Sequence, residues 1–107
     1  MMASQDIVRV SWYLPEKIVY HIKHLALNQR TDFSAFVTEL LQKRLDDPKE
    51  VKLEEWHWRG SRMTTVYLPN DLWARVKDMA EQRDIPVNSL IYSILIDADK
   101  GRKIKYV

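Results

Sequence analysis

Val8-Arg9-Val10-Ser11-Trp12-Tyr13-Leu14-Pro15 and Met63-Thr64-Thr65-Val66-Tyr67-Leu68-Pro69 are the stretches on which the fold turns, and their Tyr-Leu-Pro endings lie 54 positions apart. In the first, Val8, Val10, Trp12 and Leu14 alternate with Arg9, Ser11 and Tyr13. Successive side chains of a strand point to opposite faces, so the alternation predicts a strand with one apolar and one polar face. The second stretch does the same, with Thr64, Val66 and Leu68 on one face and Met63, Thr65 and Tyr67 on the other. Pro15 and Pro69 end both strands, because proline lacks the ladder N–H yet suits the first position of a helix.

Working outward, the same 54-residue shift carries Lys23 onto Lys77, Ala26 onto Ala80 and Leu41 onto Leu95, and it keeps apolar residues in register at Ile18/Leu72, Ile22/Val76, Leu25/Met79, Phe36/Leu90, Val37/Ile91 and Leu40/Ile94. The chain is therefore read as two copies of one strand-helix-helix unit. Ile18, Ile22, Leu25 and Ala26 predict a first helix from Pro15 to about Gln29, and Leu72, Val76, Met79 and Ala80 its counterpart from Asn70 to Gln82. Asp32 is a good cap for a second helix carrying Phe33, Phe36, Val37, Leu40, Leu41 and Leu45. Val87, Leu90, Ile91, Ile94, Leu95 and Ala98 form the matching stripe, with a helix end expected at Gly101 before a basic tail. The expected division is a first repeat over 1–47, a connector over 48–61 containing Trp56-His57-Trp58-Arg59, and a second repeat with its tail over 62–107. One such unit is too small to bury its apolar faces and leaves its strand unpaired, so the two copies are expected to join in one pseudo-twofold domain.

Composition narrows the function classes. The 107 residues carry 17 Lys+Arg against 15 Asp+Glu, a net charge of +2 that permits an acidic partner without demanding one. With no cysteine there is no disulfide, thiolate metal site or cysteine nucleophile, which fits a reducing compartment. No apolar run approaches the ~18 residues of a membrane span and the start lacks the order of a signal peptide, so a soluble, cytoplasmic protein is expected. His21 and His24 stand three apart on the first helix, with His57 distant, but no carboxylate or cysteine completes a ligand set. The acidic residues scatter as a solvated face would, and no catalytic ordering is present, so neither an enzyme nor a cofactor is expected.

Val66-Tyr67-Leu68-Pro69 and Val87-Asn88-Ser89-Leu90-Ile91-Tyr92, with Phe33-Ser34-Ala35-Phe36-Val37 in the first copy, resemble ribbon-helix-helix DNA-binding proteins of the Arc repressor type. The resemblance covers both copies. It implies a mainly α fold with a two-stranded antiparallel β-ribbon, a tandem ribbon-helix-helix of order βαα-βαα, with the ribbon entering the major groove of double-stranded DNA. By position, Arg9, Ser11, Tyr13, Met63, Thr65 and Tyr67 become base readers, while Phe33, Ser34, Val87 and Asn88, at the starts of the second helices, become the phosphate clamp. Two departures stand out. The positions of the family's buried arginine-glutamate-arginine cluster hold Ile85, Leu90 and Ile94, with Thr31, Phe36 and Leu40 in the first copy. Met63 is a poor hydrogen-bond donor for a base reader. The implied function is a transcriptional repressor or plasmid or phage regulator that pairs its repeats within the chain and can associate further with itself. The alternative is a protein-interaction module on the same fold, of the antitoxin type or an inhibitor of a host defence complex.

Overall fold

Residues 6–47, 53 and 60–105 are described by the computed structural model, with side chains up to residue 98. The elements follow in the order β1 (Ile7–Pro15), α1 (Glu16–Asn28), α2 (Phe33–Asp46), β2 (Ser61–Pro69), α3 (Asn70–Gln82) and α4 (Val87–Lys105). β1 and β2 form one antiparallel two-stranded sheet in which Ser11 lies opposite Thr65. The alternation sorts the faces: Val10, Trp12, Leu14, Val66 and Leu68 are buried, whereas Arg9, Ser11, Tyr13, Met63 and Tyr67 are exposed.

All four described helices contribute to the core under the inner face. Ile22 and Val76 from the first helices, and Val37, Leu41, Leu90, Ile91, Ile94 and Leu95 from the second, are fully or almost fully buried. α1 packs on α4 and α2 on α3, so each first helix leans on the second helix of the other half as well as on its own. The copies differ by an exchange that is matched in space. Trp12 stands where the second copy has Val66, Trp73 stands where the first has Val19, and the two indole rings meet with centroids 6.0 Å apart. A large side chain in each half thus fills a space that two valines would leave open.

The first helices end alike. Arg30 and Asp84 adopt φ of 57° and 55°, and the next residues donate back across the turn, Thr31 N–H to the Ala26 carbonyl at 2.9 Å and Ile85 N–H to the Ala80 carbonyl at 3.0 Å. This left-handed cap is the one glycine usually takes, and it satisfies carbonyls that a helix end leaves open. At α2 the Asp32 carboxylate accepts from the Ala35 N–H at 2.7 Å.

Three expectations are corrected. The fold class expected from the sequence, a tandem of two ribbon-helix-helix units, gives way to a compact single-domain fold with, among the described residues, one two-stranded sheet and four helices, in which neither half is a unit. The physical reason lies in the cross-connections: the ladder partner of each strand is in the other half, and so is the helix start that ties down each strand's outer edge. Its Cα radius of gyration of 13.6 Å is close to the ~13 Å of a single domain this long. β2 begins at Ser61, inside the expected connector. α4 continues through Gly101 to Lys105, because a single glycine costs only ~1 kcal/mol within a helix and does not by itself stop one.

Candidate nucleic-acid interface

Among the described residues no helix covers the outer face of the sheet. On it the six side chains expected to read bases meet in three cross-strand pairs: Arg9 with Tyr67, Ser11 with Thr65, and Tyr13 with Met63. Tyr13, Met63 and Tyr67 are 55%, 63% and 54% exposed, so about half or more of each lies open to solvent. The Ser11 and Thr65 hydroxyls share a hydrogen bond at 3.2 Å, so the centre of the face holds two groups that can donate or accept. Arg9 is the cation of the six, and no carboxylate is among them.

The edges of a two-stranded ribbon expose main-chain groups that need partners. Here the helix starts supply them. Tyr13 gives its N–H to Asn88 Oδ1 at 2.9 Å and receives Asn88 Nδ2 on its carbonyl. Tyr67 gives its N–H to Ser34 Oγ at 3.1 Å. The tyrosine main chains therefore point away from the opposite strand, which makes the outer pairs the closely spaced kind of an antiparallel ladder. The start of α4 is thereby fixed to β1 and the start of α2 to β2, one at each edge of the ribbon.

The expected phosphate clamp rests on the main-chain N–H groups of the helix starts. The side chains of Ser34 and Asn88 are engaged with the ribbon, and Phe33 and Val87 are half-buried against the core. What remains for an anion at these places is the first main-chain N–H groups of each helix, which helical bonding leaves unpaired and which carry the positive end of the helix dipole. The two starts differ in charge. Asp32 places a carboxylate at α2, while at α4 the carbonyl of Pro86 receives Ser89 and Leu90 N–H at 3.0 and 3.3 Å. Lys23 Nζ lies 5.5 Å from the centre of the Phe33 ring and brings a cation to the α2 start. Sequence reading missed Lys23; its identity with Lys77 across the repeat was visible, but Lys77 stacks on Trp73 of its own helix instead.

Among the described residues no group of three His, Cys, Asp or Glu side chains could hold a metal ion. The His24 ring packs edge-on against Tyr20 at 4.4 Å. His57, the Trp56-His57-Trp58-Arg59 cluster and the side chains of the basic segment after residue 98 lie outside the described residues. Among the described residues no helix is long and apolar enough to cross a membrane. The chain finds no match among protein-family models, curated proteins or solved structures.

Proposed function

We propose that the chain binds double-stranded DNA with the outer face of its ribbon in the major groove, as a regulator that occludes the sequence it reads. The observation that supports this is the outer face itself, uncovered among the described residues, with three cross-strand pairs of outward side chains and a helix start fixed at each edge. The major groove is about 12 Å wide and admits a two-stranded ribbon. Arg9 offers two donors to a guanine edge, Ser11 and Thr65 offer hydroxyls, and the main-chain amides at Phe33, Ser34, Val87 and Asn88 face phosphates on either side. The resemblance to ribbon-helix-helix DNA-binding proteins favours the same reading, with chains associating on neighbouring half-sites. Such a protein needs no cofactor, carries out no catalysis and works in the cytoplasm, in keeping with its lack of cysteine.

A second reading rests on a specific observation. Tyr13, Met63 and Tyr67 together make the same face partly apolar, as a surface that holds another protein would be. Fluorescence anisotropy of the full chain with labelled duplexes, at low and moderate salt, separates the two. The DNA reading requires binding that weakens steeply with salt and an Arg9→Ala loss of ~1–3 kcal/mol on the preferred duplex that is smaller on random DNA. No binding to any duplex at low salt would refute it and leave the protein-partner reading.

A further inference from the structure

The strand register locates the ribbon's centre of symmetry on one residue pair. Equivalent positions of the two copies lie 54 residues apart, and in the β1-β2 register Ser11 and Thr65 are opposite each other and also 54 apart. The axis relating the halves therefore passes through this pair. It exchanges Tyr13 with Tyr67 and Arg9 with Met63. The cross-halves hydrogen bonds obey the same operation, since Ser34 to Tyr67 becomes Asn88 to Tyr13, and Asn70 N–H to the Asp6 carbonyl at 2.8 Å becomes Glu16 N–H to the Gly60 carbonyl at 3.3 Å. The scaffold is thus close to twofold symmetric, and on its outer face the two tyrosines and the Ser11-Thr65 pair follow it. Arg9 and Met63 break it, as do Ile7 and Ser61 at the ribbon ends.

Arg9 and Met63 break it in the chemistry that matters for reading a base. Both side chains are exposed, and among the described residues Arg9 enters no ion pair that would hold its guanidinium back. A guanidinium can bind the O6 and N7 of guanine together, whereas a thioether has no donor and gains most from apolar contact with a thymine methyl. Arg9 and Met63 sit four positions from each other along the ribbon, which is ~13 Å at the rise of a strand. That distance corresponds to about four base-pair steps of 3.4 Å.

Resting on the DNA reading above, we infer that one chain recognises a directional, non-palindromic site, with a guanine under Arg9, a thymine under Met63 about four base pairs away, and a centre read alike from both strands. Arg9 and Met63 are the residues that set the direction. A wrong base under Arg9 costs about ten- to a hundred-fold in affinity, one under Met63 only a few-fold, because the first leaves two hydrogen bonds unmade and the second loses a methyl contact.

The test is selection from a random duplex pool with the full chain, Arg9→Met and Met63→Arg, at a stoichiometry of one chain per duplex checked by native mass spectrometry. The wild-type chain should enrich a motif whose guanine has no symmetry-related cytosine. Met63→Arg, which makes the two arms alike, should enrich a palindrome with guanine on both strands, and Arg9→Met should lose the guanine. Circular dichroism checks that each variant is folded, and the wild-type motif decides the matter if one is not. A palindromic wild-type motif, or a Met63→Arg motif that stays one-sided, would overturn the directional site while leaving DNA binding intact. Absence of any enrichment, with no duplex binding at low salt, would overturn the DNA reading and this inference with it.

Discussion

Asn88→Ala should destabilise the fold by ~1–2 kcal/mol, and more than Ser34→Ala, which occupies the equivalent place in the other half. Asn88 makes two hydrogen bonds to the Tyr13 main chain, one through each atom of its amide group, whereas Ser34 makes one to the Tyr67 N–H. A protein hydrogen bond contributes ~0.5–1.5 kcal/mol net. Both strand edges are partly open to water, with the tyrosines 55% and 54% exposed, so solvent can take over part of the lost bonding. Alanine also favours a helix over asparagine or serine by a few tenths of a kcal/mol, in this case offsetting some of the loss. The balance is ~1–2 kcal/mol for Asn88 and ~0.5 kcal/mol for Ser34. For a domain near this size each ~1 kcal/mol moves the melting temperature by ~4–8 °C, so the Asn88 variant should melt ~4–16 °C lower. Urea titrations followed by circular dichroism would give both free energies. Equal losses in the two variants, or an Asn88 loss under ~0.5 kcal/mol, would refute the claim that these side chains fasten the ribbon to the helices.

Other expectations concern the helix ends, the core and the helix contact behind it. Arg30→Gly should stabilise by ~0.5–1 kcal/mol by removing a side chain from a left-handed backbone, and Asp84→Gly should gain less because aspartate tolerates that conformation better; the shift in urea midpoint at constant slope measures both. Leu68→Ala empties a fully buried site and should cost ~2–5 kcal/mol, whereas Leu27→Ala, at a position 70% exposed, should stay within ~0.5 kcal/mol in the same assay. Arg44 Nη2 and Asp97 Oδ2 meet at 2.7 Å between α2 and α4 with side chains 27% and 34% exposed, so Asp97→Asn should cost no more than ~1 kcal/mol and the cost should shrink in high salt.

Much of the candidate site was legible because its signals are local. A strand's two-residue period assigned Arg9, Ser11, Tyr13, Met63, Thr65 and Tyr67 to one face before any pairing was known, since which face a side chain takes depends on its own backbone alone. The 54-residue repeat likewise implied that Arg30 and Asp84, or Ser34 and Asn88, would occupy equivalent places. What the sequence could not express was the identity of the partners. Ser34 and Asn88 read as helix starts whose main-chain N–H groups suit phosphate, which says nothing of their side chains, and it took the closure of the two halves to engage those with strands 33 and 75 residues away. Gly101 read as a helix end because a local preference of ~1 kcal/mol was the information available there, and that preference is small against the cooperativity of a continuing helix.

The sequence by itself determined the strands, the helices and the faces they bury, all properties set by the few residues around each position. Only the tertiary structure decided the register that sets Ser11 against Thr65, and with it the exchange of Arg9 for Met63 across the axis. Register is a relation between two distant strands, chosen by how Val10, Trp12, Leu14, Val66 and Leu68 fill one shared core, and a slip of β1 by one residue would turn Val10, Trp12 and Leu14 to solvent.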